Sequence, residues 1–239
     1  MAKTDKECTT INPHVNHRNR LKRRFLCEGL DNFQEHNALE LALFFAIPQK
    51  DTNELAHALI DEFGSIAGVL DAPYESLIKI DGIGEHAATF LKIIPELSRR
   101  YLLEKIPSGV NASDREQLSR YLIAKYGGET DEIVYLLVFD NGSNLIDCVK
   151  IHRGNINSSS FNIRKAVEAA ISKKAAAVII SHNHPGGRAV PSDDDMNTTE
   201  LVQNAFSYLN IPLLGHIIVA ENECVDILDK NKKIYRFTF

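Results

Sequence analysis

The stretch from residue 175 to 195, "AAAVIISHNHPGGRAVPSDDD", decides how the second half of the chain is read. Its apolar run, residues 175–180, has the length and composition of a buried strand. His182 and His184 follow two residues apart, and side chains two apart on a strand share a face. Pro185-Gly186-Gly187 then turns the chain back, and Pro191-Ser192 opens a helix whose first turn carries Asp193, Asp194 and Asp195. Two imidazoles beside a carboxylate suit Zn2+, because three protein ligands leave a fourth position for water. The same residues also spell a strand, a loop and a helix whose Ser192-x-x-Asp195 is an N-cap with acidic neighbours. Both readings stay open on the pattern alone.

Outward from this stretch, strand and helix signals alternate. A helix is expected over residues 113–126 and a strand over 132–139, with Asp140-Asn141-Gly142 turning into a second strand over 145–151. A helix over about 162–172, the strand at 175–180, a helix over 192–209 and strands at 213–219 and 225–228 complete a mixed α/β region large enough for one core. No strand-like alternation occurs before residue 130, so the first half is expected to be all-α. Residues 1–18 are polar and expected to be a disordered tail. Residues 19–102 form the expected helical domain, 103–112 the linker and 113–239 the α/β domain. Within the helical part, Thr52 is a candidate N-cap, Gly64 a helix stop and Ser65 the start of the next helix.

The helical part holds one further motif, Asp81-Gly82-Ile83-Gly84, between two helical segments. Glycines there permit backbone conformations closed to larger residues and leave amides bare ahead of a helix, where a phosphate oxygen can sit. The hairpin resembles the helix-hairpin-helix motif of DNA-binding proteins, which implies weak, sequence-independent backbone contacts through Gly82 and Gly84. A tight turn that only packs two helices fits equally well. Charge favours that plainer alternative, since residues 1–105 hold 13 Lys and Arg against 16 Asp and Glu. The basic concentration, Arg18, Arg20, Lys22, Arg23 and Arg24, lies earlier and can serve either a phosphate backbone or a solvated terminus.

Composition narrows the classes. The chain has 239 residues, 44% hydrophobic and 25% charged, an ordinary globular balance. A formal net charge of −5 argues against a surface built to coat nucleic acid. Cys8, Cys27, Cys148 and Cys224 are scattered without Cys-x-x-Cys spacing, so neither a zinc finger nor a disulfide framework is expected, and a cytoplasmic setting is. The apolar stretches, such as 41–47, are too short to span a bilayer, and the polar beginning is not that of a signal peptide.

His182-x-His184, seven residues, Ser192, two residues and Asp195 match the H-x-H-x7-S-x2-D signature of the JAMM (MPN+) metalloproteases. The flanking residues resemble the bacterial RadC branch of that family. The resemblance extends over residues 38–102, with Ala38-Leu39-Glu40-Leu41, and 113–239. It implies an N-terminal helix-hairpin-helix region followed by a JAB/MPN-like, cytidine-deaminase-like α/β domain with a mixed sheet. It further implies zinc on His182, His184 and Asp195, with Ser192 stabilising a tetrahedral intermediate during cleavage of a peptide, isopeptide or related amide bond. The family pattern also carries a general-base glutamate at the start of a strand, and Glu132, 50 residues before His182, fills that context. A charged residue that merely opens a strand is its plainer reading. An alternative for the whole chain is a DNA-associated genome-maintenance module whose JAB domain is a binding scaffold. Three positions depart from the RadC pattern. Asn162-Ile163-Arg164-Lys165 replaces His-Pro-Arg-Glu, Pro185-Gly186-Gly187 replaces Pro-Ser-Gly, and Gly215-His216 replaces Asp-His. His216 can be a supporting group of the site or a core histidine with its hydrogen bonds satisfied.

Overall fold

The computed structural model describes residues 17–48, 50–106, 109–154, 161–229, 231 and 233–237. The chain divides into two compact units, residues 1–97 and 98–239.

The first unit is helical among its described residues. It comprises α1 (His17–Glu28), α2 (Glu35–Ala46), α3 (Asn53–Phe63), α4 (Ile66–Asp71), the single turn α5 (Tyr74–Leu77) and the beginning of α6 (Glu85–Lys105). Leu43, Leu59, Val69, Leu77, Ala88 and Leu91 are wholly buried and form its centre. Gly64 closes α3 in the left-handed conformation at φ 83°, and Ser65 caps α4 by accepting from the Gly68 amide at 3.0 Å. Thr52 precedes α3 without capping it; its buried hydroxyl donates to the Glu40 carbonyl instead, at 3.3 Å. Gly82, at φ 90°, makes the turn between α5 and α6. The neighbouring Ile83 is tucked into the same apolar centre. The expected tail, residues 1–18, falls outside the described residues except for 17 and 18, which begin α1.

The second unit contains α7 (Arg115–Tyr126), β1 (Ile133–Phe139), β2 (Leu145–Arg153), α8 (Ile163–Ser172), β3 (Ala177–Asn183), α9 (Asp193–Ser207), β4 (Leu213–Ala220), β5 (Glu223–Asp226) and β6 (Ile234–Arg236). These strands form one mixed sheet in the order β2-β1-β3-β4-β5-β6. β3 runs antiparallel to β1 and parallel to β4; the other neighbours are antiparallel. Every residue of β1 and β3 is buried, which is why both read as continuous apolar runs without alternation. Tyr135, Leu137, Phe139 and Ile179 face Leu118, Leu122 and Tyr126 of α7. Val134, Leu136, Val138, Val178 and Ile180 face Ala166 and Ala170 of α8 and Val202 and Phe206 of α9. The sheet therefore lies between α7 on one side and α8 with α9 on the other.

The turn after β1 forms as its letters suggest, with one carboxylate oxygen of Asp140 accepting from the Gly142 and Asn144 amides at 2.8 Å each. The interval 103–112, expected as a linker, is in part structured. Residues 103–105 complete α6, and Val110 and Ala112 are buried in the core beneath α7. Residues 107 and 108 lie outside the described set. Cys148 and Cys224 are free thiols. Cys27, by contrast, is disulfide-bonded, against the expectation drawn from cysteine spacing. No helix among the described residues is long and apolar enough to cross a membrane.

Phe206, wholly buried, is the side chain through which the last turn of α9 packs on the sheet. Phe206→Ala is expected to cost about 3–5 kcal/mol of stability, read from denaturant unfolding of the full chain.

Candidate metal centre

The crossover from β3 to β4 builds the site. Parallel strands need such a crossover, and α9 supplies it. β3 delivers His182 at its penultimate position, and the chain continues through His184 and the Pro185-Gly186-Gly187 turn, with Gly186 at φ 64°. Val134 of β1 sits opposite His182 in the ladder, on the face covered by α8 and α9. α9 then returns over that face with Asp195 in its first turn.

His182, His184 and Asp195 each bring one donor atom to a common point, all within 4.8 Å of one another. His182 Nε2 lies 2.9 Å from Asp195 Oδ1 and 3.0 Å from His184 Nε2, and His184 Nε2 lies 3.6 Å from Asp195 Oδ2. Ligands on a tetrahedral ion at about 2.0–2.1 Å stand roughly 3.3 Å apart, so these spacings fit one small divalent cation. The tautomers fit as well. His184 Nδ1 lies 2.9 Å from the Arg188 carbonyl, which can only accept, so that nitrogen carries the proton and Nε2 is bare in the neutral ring. Bare imidazole nitrogens and an ionised carboxylate facing one another repel unless a cation, a proton or a metal, lies among them.

Ser192 serves Asp195 directly. Its backbone amide and hydroxyl donate to Asp195 Oδ2 at 2.8 and 2.7 Å, and the Asp195 amide donates back to Ser192 Oγ at 3.2 Å. This capping box fixes Oδ2 and turns Oδ1 towards His182. The helix-cap and metal-ligand readings of Ser192-x-x-Asp195 thus hold together: the cap is what orients the carboxylate.

Charge in the site follows from its burial. Asp195 is only 3% exposed. Burial opposes its ionisation, yet hydrogen bonds from the protonated rings of His182 and His184 and from Ser192 outweigh that cost and hold the carboxyl well below the usual carboxylate range. The hydrogen bond to Asp195 raises the His184 pKa above the ordinary imidazole value against partial burial, and the Glu132 charge adds to the rise. Glu132 immediately precedes β1. The start of β1 is held by Asn183: its side-chain oxygen accepts from the Ile133 amide at 2.7 Å, and its nitrogen donates to the Asp131 carbonyl at 3.0 Å.

Three other side chains complete the surroundings. His182 Nδ1 lies 2.9 Å from Nε2 of the buried His216, whose Nδ1 is 2.5 Å from Thr199 Oγ1. His216 therefore supports the site, while Asn183 and Thr199 are contributors that linear spacing does not flag. Gly215 is explained by its neighbours. A Cβ there would come within 2.7 Å of Asp226 Oδ2 and 3.1 Å of Arg115 Nη1, so the ion pair of a buried aspartate with a half-buried arginine fills the space that the family's aspartate would need. Asp226 Oδ1 also accepts from the His216 amide at 3.0 Å, which secures β4 beside β5. Lys165 reaches the Ile151 carbonyl at 3.3 Å. Of the loop 154–160 beyond β2, only Gly154 lies among the described residues.

A mixed α/β domain carrying a possible His/His/Asp metal site at a parallel crossover is the class that these features define. A model of the RadC-like JAB domain matches residues 112–232. The chain is 30% identical over 223 residues to a UPF0758 protein of Fusobacterium nucleatum, which spans 90% of this chain and 95% of the relative. It is 31% identical over 209 residues to a UPF0758 protein of Shewanella halifaxensis, spanning 87% and 93%. The chain belongs to the RadC-like JAB domain family.

One divalent ion per chain is expected by elemental analysis of protein purified with metal available, and none in the His182→Ala/His184→Ala double variant. Because protons compete for the same nitrogens, ion affinity in a competition titration should fall as pH is lowered through the raised His184 pKa and level off above it.

Proposed function

We propose that the protein is a zinc-dependent hydrolase of a peptide, isopeptide or related amide bond, acting through His182, His184 and Asp195 as ligands. The observation that carries this reading is a buried carboxylate meeting two imidazole nitrogens within 4.8 Å. Zinc held there supplies a Lewis acid for the scissile carbonyl and lowers the pKa of a bound water towards neutrality. Glu132 takes a proton from the attacking water and returns it to the leaving amine. Its place just before β1, with its charge adding to the rise of the His184 pKa, supports that role. Ser192 holds the Asp195 carboxylate through the capping box, and its hydroxyl, turned from Asp195, donates to the developing oxyanion.

A peptide-library cleavage assay on zinc-loaded protein tests the reading. Glu132→Gln is expected to retain the ion while losing about 10²–10⁴-fold in turnover. Ser192→Ala is expected to lose about 10²–10³-fold in turnover and, through its cap, about 1 kcal/mol of stability. Full ion occupancy with no cleavage of any library member would leave the site as a binding centre.

The helical unit supports a second, independent reading. Gly82 turns the chain with a positive φ just ahead of α6, a helix of 21 residues, and weak contacts to a DNA backbone through Gly82 and Gly84 would use amides at that turn. In that reading the protein is a DNA-associated genome-maintenance module and its JAB domain a scaffold for partners. Duplex DNA titrated into the full chain at low and high salt decides it: binding that weakens steeply with salt supports contact, and none at low salt excludes it.

A further inference from the structure

The buried contacts beyond the three ligand side chains form a chain whose hydrogens can be followed one at a time. Thr199 Oγ1 lies 2.6 Å from the Asp195 carbonyl, one helical turn earlier on α9. A carbonyl only accepts, so the single hydroxyl hydrogen of Thr199 is spent there. Toward His216 Nδ1, 2.5 Å away, Thr199 Oγ1 can therefore only accept, and Nδ1 of His216 must carry hydrogen. His216 is 2% exposed, and among the described residues its ring nitrogens meet only the His182 ring and the Thr199 hydroxyl, so its ring is neutral and its Nε2 is bare. That bare nitrogen, 2.9 Å from His182 Nδ1, must accept, which puts the hydrogen of His182 on Nδ1. His182 Nε2 is then left as a lone pair facing His184 Nε2 and Asp195 Oδ1, at 3.0 and 2.9 Å.

We propose that His216 and Thr199 are positioning residues that set the tautomer of His182, keeping its Nε2 lone pair turned toward the ion. The proposal rests on the metal-centre reading of His182, His184 and Asp195. The chain closes on itself: Asp195 supplies one ligand through its carboxylate and, through its carbonyl, orients the hydroxyl that orients His216. Without the Thr199 oxygen, nothing holds the hydrogen of His216 on Nδ1. His216 can then carry it on Nε2 and donate to His182 Nδ1, which forces the His182 hydrogen onto Nε2, where it blocks the ion.

Thr199→Val removes the oxygen at nearly constant shape, whereas Thr199→Ser keeps it. In a chelator-competition titration of the full chain with Zn2+, Thr199→Val is expected to bind about 10–100-fold more weakly, with Thr199→Ser close to the parent. Nitrogen-15 imidazole spectra of the zinc-loaded parent protein are expected to show His182 and His216 both protonated at Nδ1. In Thr199→Val at the same total zinc, the His216 signal should move to the Nε2-protonated form in the fraction that carries no ion. Equal affinities in the three proteins, equal losses in both variants, or a lowered Tm with affinity kept would each overturn the proposal. So would a zinc-loaded parent spectrum with His216 protonated at Nε2, which needs no variant to fold. A parent protein that takes up no divalent ion removes the metal-centre reading itself, whereas a parent that binds while Thr199→Val binds as tightly removes only the tautomer control.

Discussion

An ionised carboxylate taken out of water must be answered by its surroundings, because the desolvation cost is several kcal/mol even after relaxation. Asp195 imposes that demand on the second unit. Its Oδ2 is met by the amide and hydroxyl of Ser192, and its Oδ1 is left facing an imidazole nitrogen. The strand order follows the same demand. β3 must lie inside the sheet with both faces covered for His182 to be buried, and the parallel step to β4 requires a crossover helix that brings Asp195 back over it. Fold and site are two descriptions of one crossover.

Much of this was legible in the letters, for reasons that can be named. β1 and β3 are buried on both faces, so their apolar runs stood out, and Pro191-Ser192 with three aspartates marked the start of α9. The three candidate ligands were legible because they lie within fourteen residues, where strand and helix geometry alone decide which way they point. The supporting groups were not. His216 follows His182 by 34 residues and meets it only through strand pairing, and Thr199 meets His216 only through the packing of α9 on the sheet. β6 escaped notice because three largely exposed residues carry no apolar alternation. Nor could the boundary between the units be placed from composition, since it falls at residues 97 and 98, inside α6, where no Gly or Pro cluster marks it.

The departures from the RadC pattern divide in the same way. Gly215 looked like the loss of a polar group, but Asp226 from the adjacent strand brings a carboxylate to that spot and uses it to bind the His216 amide and Arg115. Lys165 shows no such exchange, since its ammonium is turned to the Ile151 carbonyl.

The middle letter of His182-Asn183-His184 reads as a spacer, yet its amide clasps both sides of the peptide that leads into β1. Glu132 lies within that clasped span, so its stretch of backbone is tied to the end of β3 by a side chain where the ladder between the strands has ended. The lead into β1 is thus braced by the very residue that the two histidines enclose.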